Sequence, residues 1–145
     1  MESSPIQVRP IDFELEGQSA YELLRELRGG LAFEDFAAIY REASKSDDYR
    51  FWGAYRGHEL LGLMGARVLH DFVHGKHFYV DDLVIGKEFR SQGIGQTLLA
   101  FAETQAREWG CRGLRLCTGF ENEGARRFYE REGWAPRAIA FKKKL

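Results

Sequence analysis

The chain's 145 residues make one domain of ordinary size, read here as 1–145, and a hydrophobic content of 44% is enough for one substantial core. A net charge of −1 leaves no broad electrostatic case for a nucleic-acid partner. No apolar run is long enough to cross a bilayer as a helix, so no membrane partner is expected.

In chain order, Met1-Glu2-Ser3-Ser4-Pro5 has neither a basic start nor an apolar stretch, so no signal peptide is expected. Ile6 to Pro10 alternates like a first strand. Gln18 to Arg28 carries Tyr21, Leu24 and Leu27 at helical spacing, with Gly29-Gly30 as a stop. Phe33, Phe36, Ala37 and Tyr40 mark a second helix to about Ser44 and are expected in the core. Arg50 to Tyr55 and Glu59 to Leu69 read as strands joined through Arg56-Gly57-His58, and a third strand, Lys76 to Ile85, follows a turn at His74-Gly75. A helix from Gly93 to Trp109 buries Ile94, Leu98, Phe101, Ala102 and Trp109, and Gly110 ends it. Arg112 to Thr118 is a further strand, a short helix runs from Glu121 to about Glu132, and Arg137 to Lys144 is a last strand. Lys142-Lys143-Lys144 reads as a solvated end. Cys111 and Cys117 flank one strand. Six extended residues span about 20 Å, beyond disulfide reach. Thiols are therefore expected, which suits a reducing cytoplasm.

The most informative stretch is Asp81-Asp82-Leu83-Val84-Ile85-Gly86-Lys87-Glu88-Phe89-Arg90-Ser91-Gln92-Gly93-Ile94-Gly95-Gln96-Thr97. It reads as strand, turn, glycine loop and helix start. Its two glycines allow backbone amides to approach a ligand, and the helix points its positive end at the same place, a combination that binds phosphate. Gln96-Thr97 stands where a Walker loop needs Lys-Ser or Lys-Thr, and Leu98 where a dinucleotide fingerprint needs a third glycine. What remains is Arg/Gln-x-x-Gly-x-Gly. Further on comes Asn122-x-x-Ala125-x-x-Phe128-Tyr129-x-x-x-Gly133-Trp134.

Together these two motifs resemble the GNAT superfamily of N-acetyltransferases, with Trp134 where Phe is common. The resemblance is firm from about Val80 to Trp134 and extends to the order of elements along the chain. It implies an α/β (α+β) fold, a mixed and mostly antiparallel sheet of six or seven strands flanked by helices on both faces. It implies acetyl-CoA as cosubstrate. Backbone groups of Leu83, Val84 and Ile85 would pair with the pantetheine arm in a gap between the third-hairpin strand and the Arg112-to-Thr118 strand. Amides of Arg90, Ser91, Gln92, Gly93, Ile94, Gly95 and Gln96 would hold the pyrophosphate. Asn122 would contact pantetheine or position the last helix, and Phe128 would lie with it against the coenzyme. Tyr129 matches the tyrosine that protonates the leaving thiolate. Its ordinary pKa of about 10 keeps it protonated at neutral pH.

Asp81 and Asp82 are out of place within an apolar strand. Neighbours face opposite sides unless a bulge intervenes, so one of them is expected to face the acceptor cleft. By resemblance Asp81 takes the proton from the amine, directly or through water, with Asp82 as a second base or an amine-binding group. The alternative is a structural pairing with an arginine. Tyr49, Phe51 and Trp52 are candidates for the acceptor pocket. His70, His74 and His77 sit around a hairpin without a cysteine cluster, so no metal is expected, and Cys117 is expected to pack rather than react. The expected activity is acetyl transfer to a primary amine, with a small cationic or polyamine-like acceptor favoured. Alternatives are a protein or peptide amine, a catalytically silent CoA-binding module, and an unrelated nucleotide-binding domain. A homodimer is compatible with all of these.

Overall fold

The computed structural model describes residues 5–145; residues 1–4, on which most of the leader reading rests, lie outside it. Five strands, β1 (Ile6–Pro10), β2 (Arg50–Arg56), β3 (Glu59–Asp71), β4 (Gly75–Ile85) and β5 (Gly113–Leu116), form one sheet in the order β1-β2-β3-β4-β5. The helices are α1 (Phe13–Leu27), α2 (Phe33–Ser46), α3 (Ile94–Glu108) and α4 (Glu123–Arg131), and a 3-10 turn, Lys87–Phe89, lies between β4 and α3. Neighbours from β1 to β4 all pair antiparallel. The chain divides into two compact units, Met1–Arg115 and Leu116–Leu145.

In the first unit, successive strand residues face opposite sides, and the aromatic residues of β2 show what covers each. Phe51 stacks on Phe36 and Tyr40 of α2 at 6.1 and 5.1 Å. Trp52 turns the other way, onto Phe101 of α3 and Trp109 just beyond it, at 5.9 and 6.1 Å. So α1 and α2 cover one face and α3 the other. The core under α1 and α2 gathers Tyr21, Leu23, Leu24, Phe36, Phe51, Tyr55, Leu63 and Val84.

α1 begins at Phe13, well before the expected Gln18. Asp12 is the reason: its carboxylate accepts from the N–H groups of Glu14 and Leu15 at 3.1 and 3.4 Å, satisfying donors that open every helix. α2 has no side-chain cap and is held by its aromatic face.

In the second unit, the Asn122 side chain caps α4 by accepting from Ala125 N–H at 3.1 Å. Gly133, at φ +92°, ends it, with Trp134 N–H bonded to the Tyr129 carbonyl at 2.9 Å. The expected last strand, Arg137 to Lys144, does not form. These residues are exposed and carry no ladder, so among the described residues the sheet has five strands rather than six or seven. Ile139 and Phe141 alternate as a strand requires, but they are 63% and 94% exposed. Alternation marks one side of a segment as apolar; it does not supply the partner whose N–H and C=O groups a strand needs.

Candidate active site

The register between β3 and β4 slips at one place. Gly65 faces Asp82, and the next residue, Ala66, faces Val80. Asp81 is thus the extra residue of a β-bulge, and the bulge abolishes the alternation that would separate two neighbouring carboxylates. Both line one cavity of about 260 Å³, whose apolar and aromatic wall includes Leu24, Leu31, Phe36, Ile39, Tyr40, Tyr49 and Phe51. Asp47, Arg67, Asp81 and Asp82 supply its polar side.

Each bulge carboxylate has a guanidinium. Arg67 grips Asp81 as a fork, Nε to Oδ2 at 3.0 Å and Nη2 to Oδ1 at 3.1 Å. Arg28, just past the end of α1, reaches Oδ1 of Asp82 with Nη2 at 2.9 Å and Nε at 3.2 Å. Tyr49 donates its hydroxyl to the other Asp82 oxygen at 2.7 Å. Burial pushes the Asp81 carboxyl above its ordinary pKa, and the Arg67 bond and charge pull against it. Burial, then the Asp82 charge and hydrogen bond, push the Tyr49 phenol well up, so it is a hydrogen-bond donor at neutral pH. The Tyr49 ring lies directly over Gly65: a Cβ there would run into its hydroxyl end.

Arg67, Arg28 and Asp47 were not singled out from the sequence. The available signal was Arg67, a charge within the apolar run Leu60 to Val68, one strand away from two aspartates that needed a partner. Of the aromatic candidates, Tyr49 and Phe51 line the cavity and Trp52 does not. Phe36 and Tyr40, expected as core, are also its wall.

The glycine loop lies at the start of α3. Ser91 and Gly93 take positive φ, +65° and +77°. Gly93 is the helix N-cap and offers no side-chain acceptor to the first-turn N–H groups. Within 4 Å of a Cβ at Gly93 lies only the Gln96 side-chain oxygen, at 3.7 Å, so backbone conformation and not space demands glycine here. Arg90, Ser91 and Gln92 are exposed, and Gln92 accepts from Arg56 at 3.1 Å. Ile94, like Leu98 and Leu99 further along α3, buries its side chain in the core.

Leu83, Val84 and Ile85 pair on one edge with Met64, Leu63 and Gly62 of β3. On the other side, β5 begins one residue after Arg112, whose N–H bonds the Lys76 carbonyl. A strand of four residues from there stops short of Leu83. Asn122, Phe128 and Tyr129 belong to the second unit. There the Tyr129 ring contacts Phe128 and Trp134 at 5.3 and 6.1 Å, and burial raises its pKa.

Two of the three hairpin histidines cluster with an aspartate. Asp71, His74 and His77 bring ligand-capable atoms within 4.8 Å of one another, and His70 is not among them. Arg115 Nη1 sits between them, 3.2 Å from Asp71, 3.3 Å from His74 and 3.2 Å from His77. The His74 backbone N–H, then its ring, hold the Asp71 carboxyl down to about 2. The Arg115 guanidinium places one cation in this cluster.

An antiparallel sheet with helices on both faces, a helix that opens without a side-chain cap and a bulged strand beside an acidic, aromatic cleft are the features against which the chain's relatives are read. The chain belongs to the acetyltransferase (GNAT) family, whose model matches residues 17–134, and is an acetyl-CoA-dependent N-acetyltransferase. It is 30% identical over 129 residues to an aminoalkylphosphonate N-acetyltransferase of Salmonella typhimurium, covering 88% of this chain and 84% of that protein. It is 27% identical over 139 residues to an N-acetyltransferase of Bacillus subtilis, covering 95% and 98%. Among solved structures, an aminoglycoside N-acetyltransferase in complex with CoA superposes with a TM-score of 0.85 at 20% identity, covering 99% of this chain and 98% of that one.

Proposed function

We propose that the chain moves an acetyl group from acetyl-CoA to the primary amine of a small cationic acceptor, by direct attack, in the cavity at the β4 bulge. The observation that carries this reading is the bulge itself, which turns Asp81 and Asp82 into one aromatic-walled cleft. Such walls suit the methylenes of an amine and such carboxylates its charge.

The residues fit the coenzyme. The start of α3, which has no side-chain cap, and the loop before it, with positive φ at Ser91 and Gly93, supply backbone donors of the kind a pyrophosphate needs. Leu83, Val84 and Ile85, beyond the reach of β5, offer an edge to the pantetheine amides. Asp81 takes the proton of the attacking amine, directly or through water, and the raised pKa that burial gives it makes it a better base. Asp82, fixed by Arg28 and Tyr49, orients the acceptor. A backbone N–H near Leu83 or Val84 polarises the thioester carbonyl. Tyr129, protonated at neutral pH, delivers a proton to the departing sulfur. Asn122 fixes the start of α4 and Phe128 accompanies Tyr129. No metal enters this chemistry, and no nucleic acid is required. On this reading both units work as one domain, 1–145, in the cytoplasm, as a monomer or a homodimer.

The test is a screen of thiol release from acetyl-CoA across small amines and peptides. Release with small cationic amines supports the reading. Release only with peptides moves the acceptor to a protein amine, and acetyl-CoA binding without release on any acceptor makes the chain a silent CoA-binding module.

A further inference from the structure

We infer that the β3–β4 hairpin carries a site for a divalent transition metal, zinc by the chemistry of its donors, with Asp71, His74 and His77 as ligands and Arg115 as the cation that the metal displaces. The site shares no residue with the cavity at the β4 bulge, so the inference does not depend on the acceptor proposed above. One turn brings the ligands together. Asp71 ends β3 and His77 lies near the start of β4, so the hairpin folds the spacing Asp-x-x-His-x-x-His back on itself. The His74 N–H donates to Asp71 Oδ1 at 2.6 Å and fixes that carboxylate. His77 is 1% exposed, and its ring state is set by its neighbours. The Gly75 carbonyl, 3.0 Å from Nδ1, can only accept, so Nδ1 carries the hydrogen. Arg115 Nη1, 3.2 Å from Nε2, can only donate, so Nε2 aims a lone pair into the cluster. An imidazole that donates one ring N–H to a backbone carbonyl and offers its other nitrogen as a lone pair is in the state in which histidine binds a metal.

Arg115 does not satisfy the cluster. Its Nη1 has two hydrogens and faces three atoms, on Asp71, His74 and His77, at 3.2, 3.3 and 3.2 Å. His74 Nδ1 is also 3.1 Å from both Asp71 carboxylate oxygens. If that nitrogen carries a hydrogen, it meets the guanidinium donor against donor. If it carries a lone pair, it meets the carboxylate acceptor against acceptor. A metal ion at the Nη1 position removes the conflict, because the carboxylate and both imidazoles then present lone pairs to one cation. Two imidazoles and a carboxylate suit zinc, whose bonds of about 2.0–2.2 Å require each ligand to close in by about 1 Å. His74, His77 and Arg115 also line a cavity of about 330 Å³, which gives room for a water as fourth ligand. The Arg115 side chain is 35% exposed and has solvent to turn into.

The test is calorimetric titration of zinc into the full chain, freed of metal by a chelator, for the wild type, His74→Ala, Asp71→Asn and Arg115→Met. The visible spectrum of the cobalt form reports the coordination, and circular dichroism checks the fold of each variant. The wild type should bind zinc in an equimolar ratio and unfold at higher temperature when it is bound. His74→Ala and Asp71→Asn, both at partly exposed side chains, should weaken binding about tenfold or more. Arg115→Met should bind zinc more tightly than the wild type, because the competing cation is gone. A wild type that binds no zinc, binding that His74→Ala and Asp71→Asn leave unchanged, or an Arg115→Met chain that binds no more tightly overturns the inference. Binding confined to Arg115→Met overturns it too, since the arginine then holds the site against the metal.

Discussion

Asp81 is subject to two opposed influences, and the balance sets a pH dependence. Burial raises its pKa and Arg67 lowers it, with burial the larger. A base must be ionised to work, so turnover falls as pH falls through the raised value. The acidic limb of kcat should therefore lie above the ordinary carboxylate range of about 4. Replacing Arg67 by Met removes the lowering influence, so the limb should move to still higher pH; a kcat–pH profile of the two enzymes checks both direction and assignment. Asp81→Asn should lower kcat at every pH while sparing acetyl-CoA affinity. If kcat is unchanged, Asp81 is no more than the partner of Arg67.

At the scale of elements, the glycines at the bulge and at the loop are needed for different reasons. Gly65 gives Tyr49 room to reach Asp82, so Gly65→Ala should displace the ring, break the Tyr49–Asp82 bond and cost about 1–3 kcal/mol of stability, read by denaturant unfolding. Gly93 has space but a left-handed backbone. Gly93→Val should weaken acetyl-CoA binding at least tenfold, about 1.4 kcal/mol, by calorimetry on a variant that remains folded. Unchanged affinity would detach the loop from the coenzyme. Element types were legible from periodicity and glycine stops, because each helix or hairpin is fixed by residues close in sequence. β1 and the β2–β3 turn fall where the pattern places them. The start of α1 was missed because a single capping side chain, Asp12, outweighs the periodicity that begins later. The 137–144 strand was over-read because a strand's partner is not written in its own alternation.

Across the whole molecule, the loop motif was readable as a local pattern, and the acceptor cleft was not. Asp81 and Asp82 stood out as charges in an apolar strand, yet their partners come from Arg28 and Arg67, far apart in sequence and joined only by the fold. That the family model runs from residue 17 to 134 means its pattern crosses from the first unit into the second. Tyr129→Phe keeps the ring and removes the acid, so kcat should fall by about 10²- to 10⁴-fold with acetyl-CoA affinity little changed. The loss should shrink with an acyl donor whose thiol is more acidic. Normal turnover would leave Tyr129 a packing residue.

The central claim is acetyl transfer to a small cationic amine, and one competition measures it. The purified chain is given acetyl-CoA with an equimolar mixture of putrescine, an aminoglycoside and a lysine-containing peptide, and the products are resolved by mass. The account predicts an acetylated small amine, putrescine or the aminoglycoside, as the dominant product, formed in step with released CoA. Acetylated peptide as the main product, or CoA released with no acetylated amine, would contradict it.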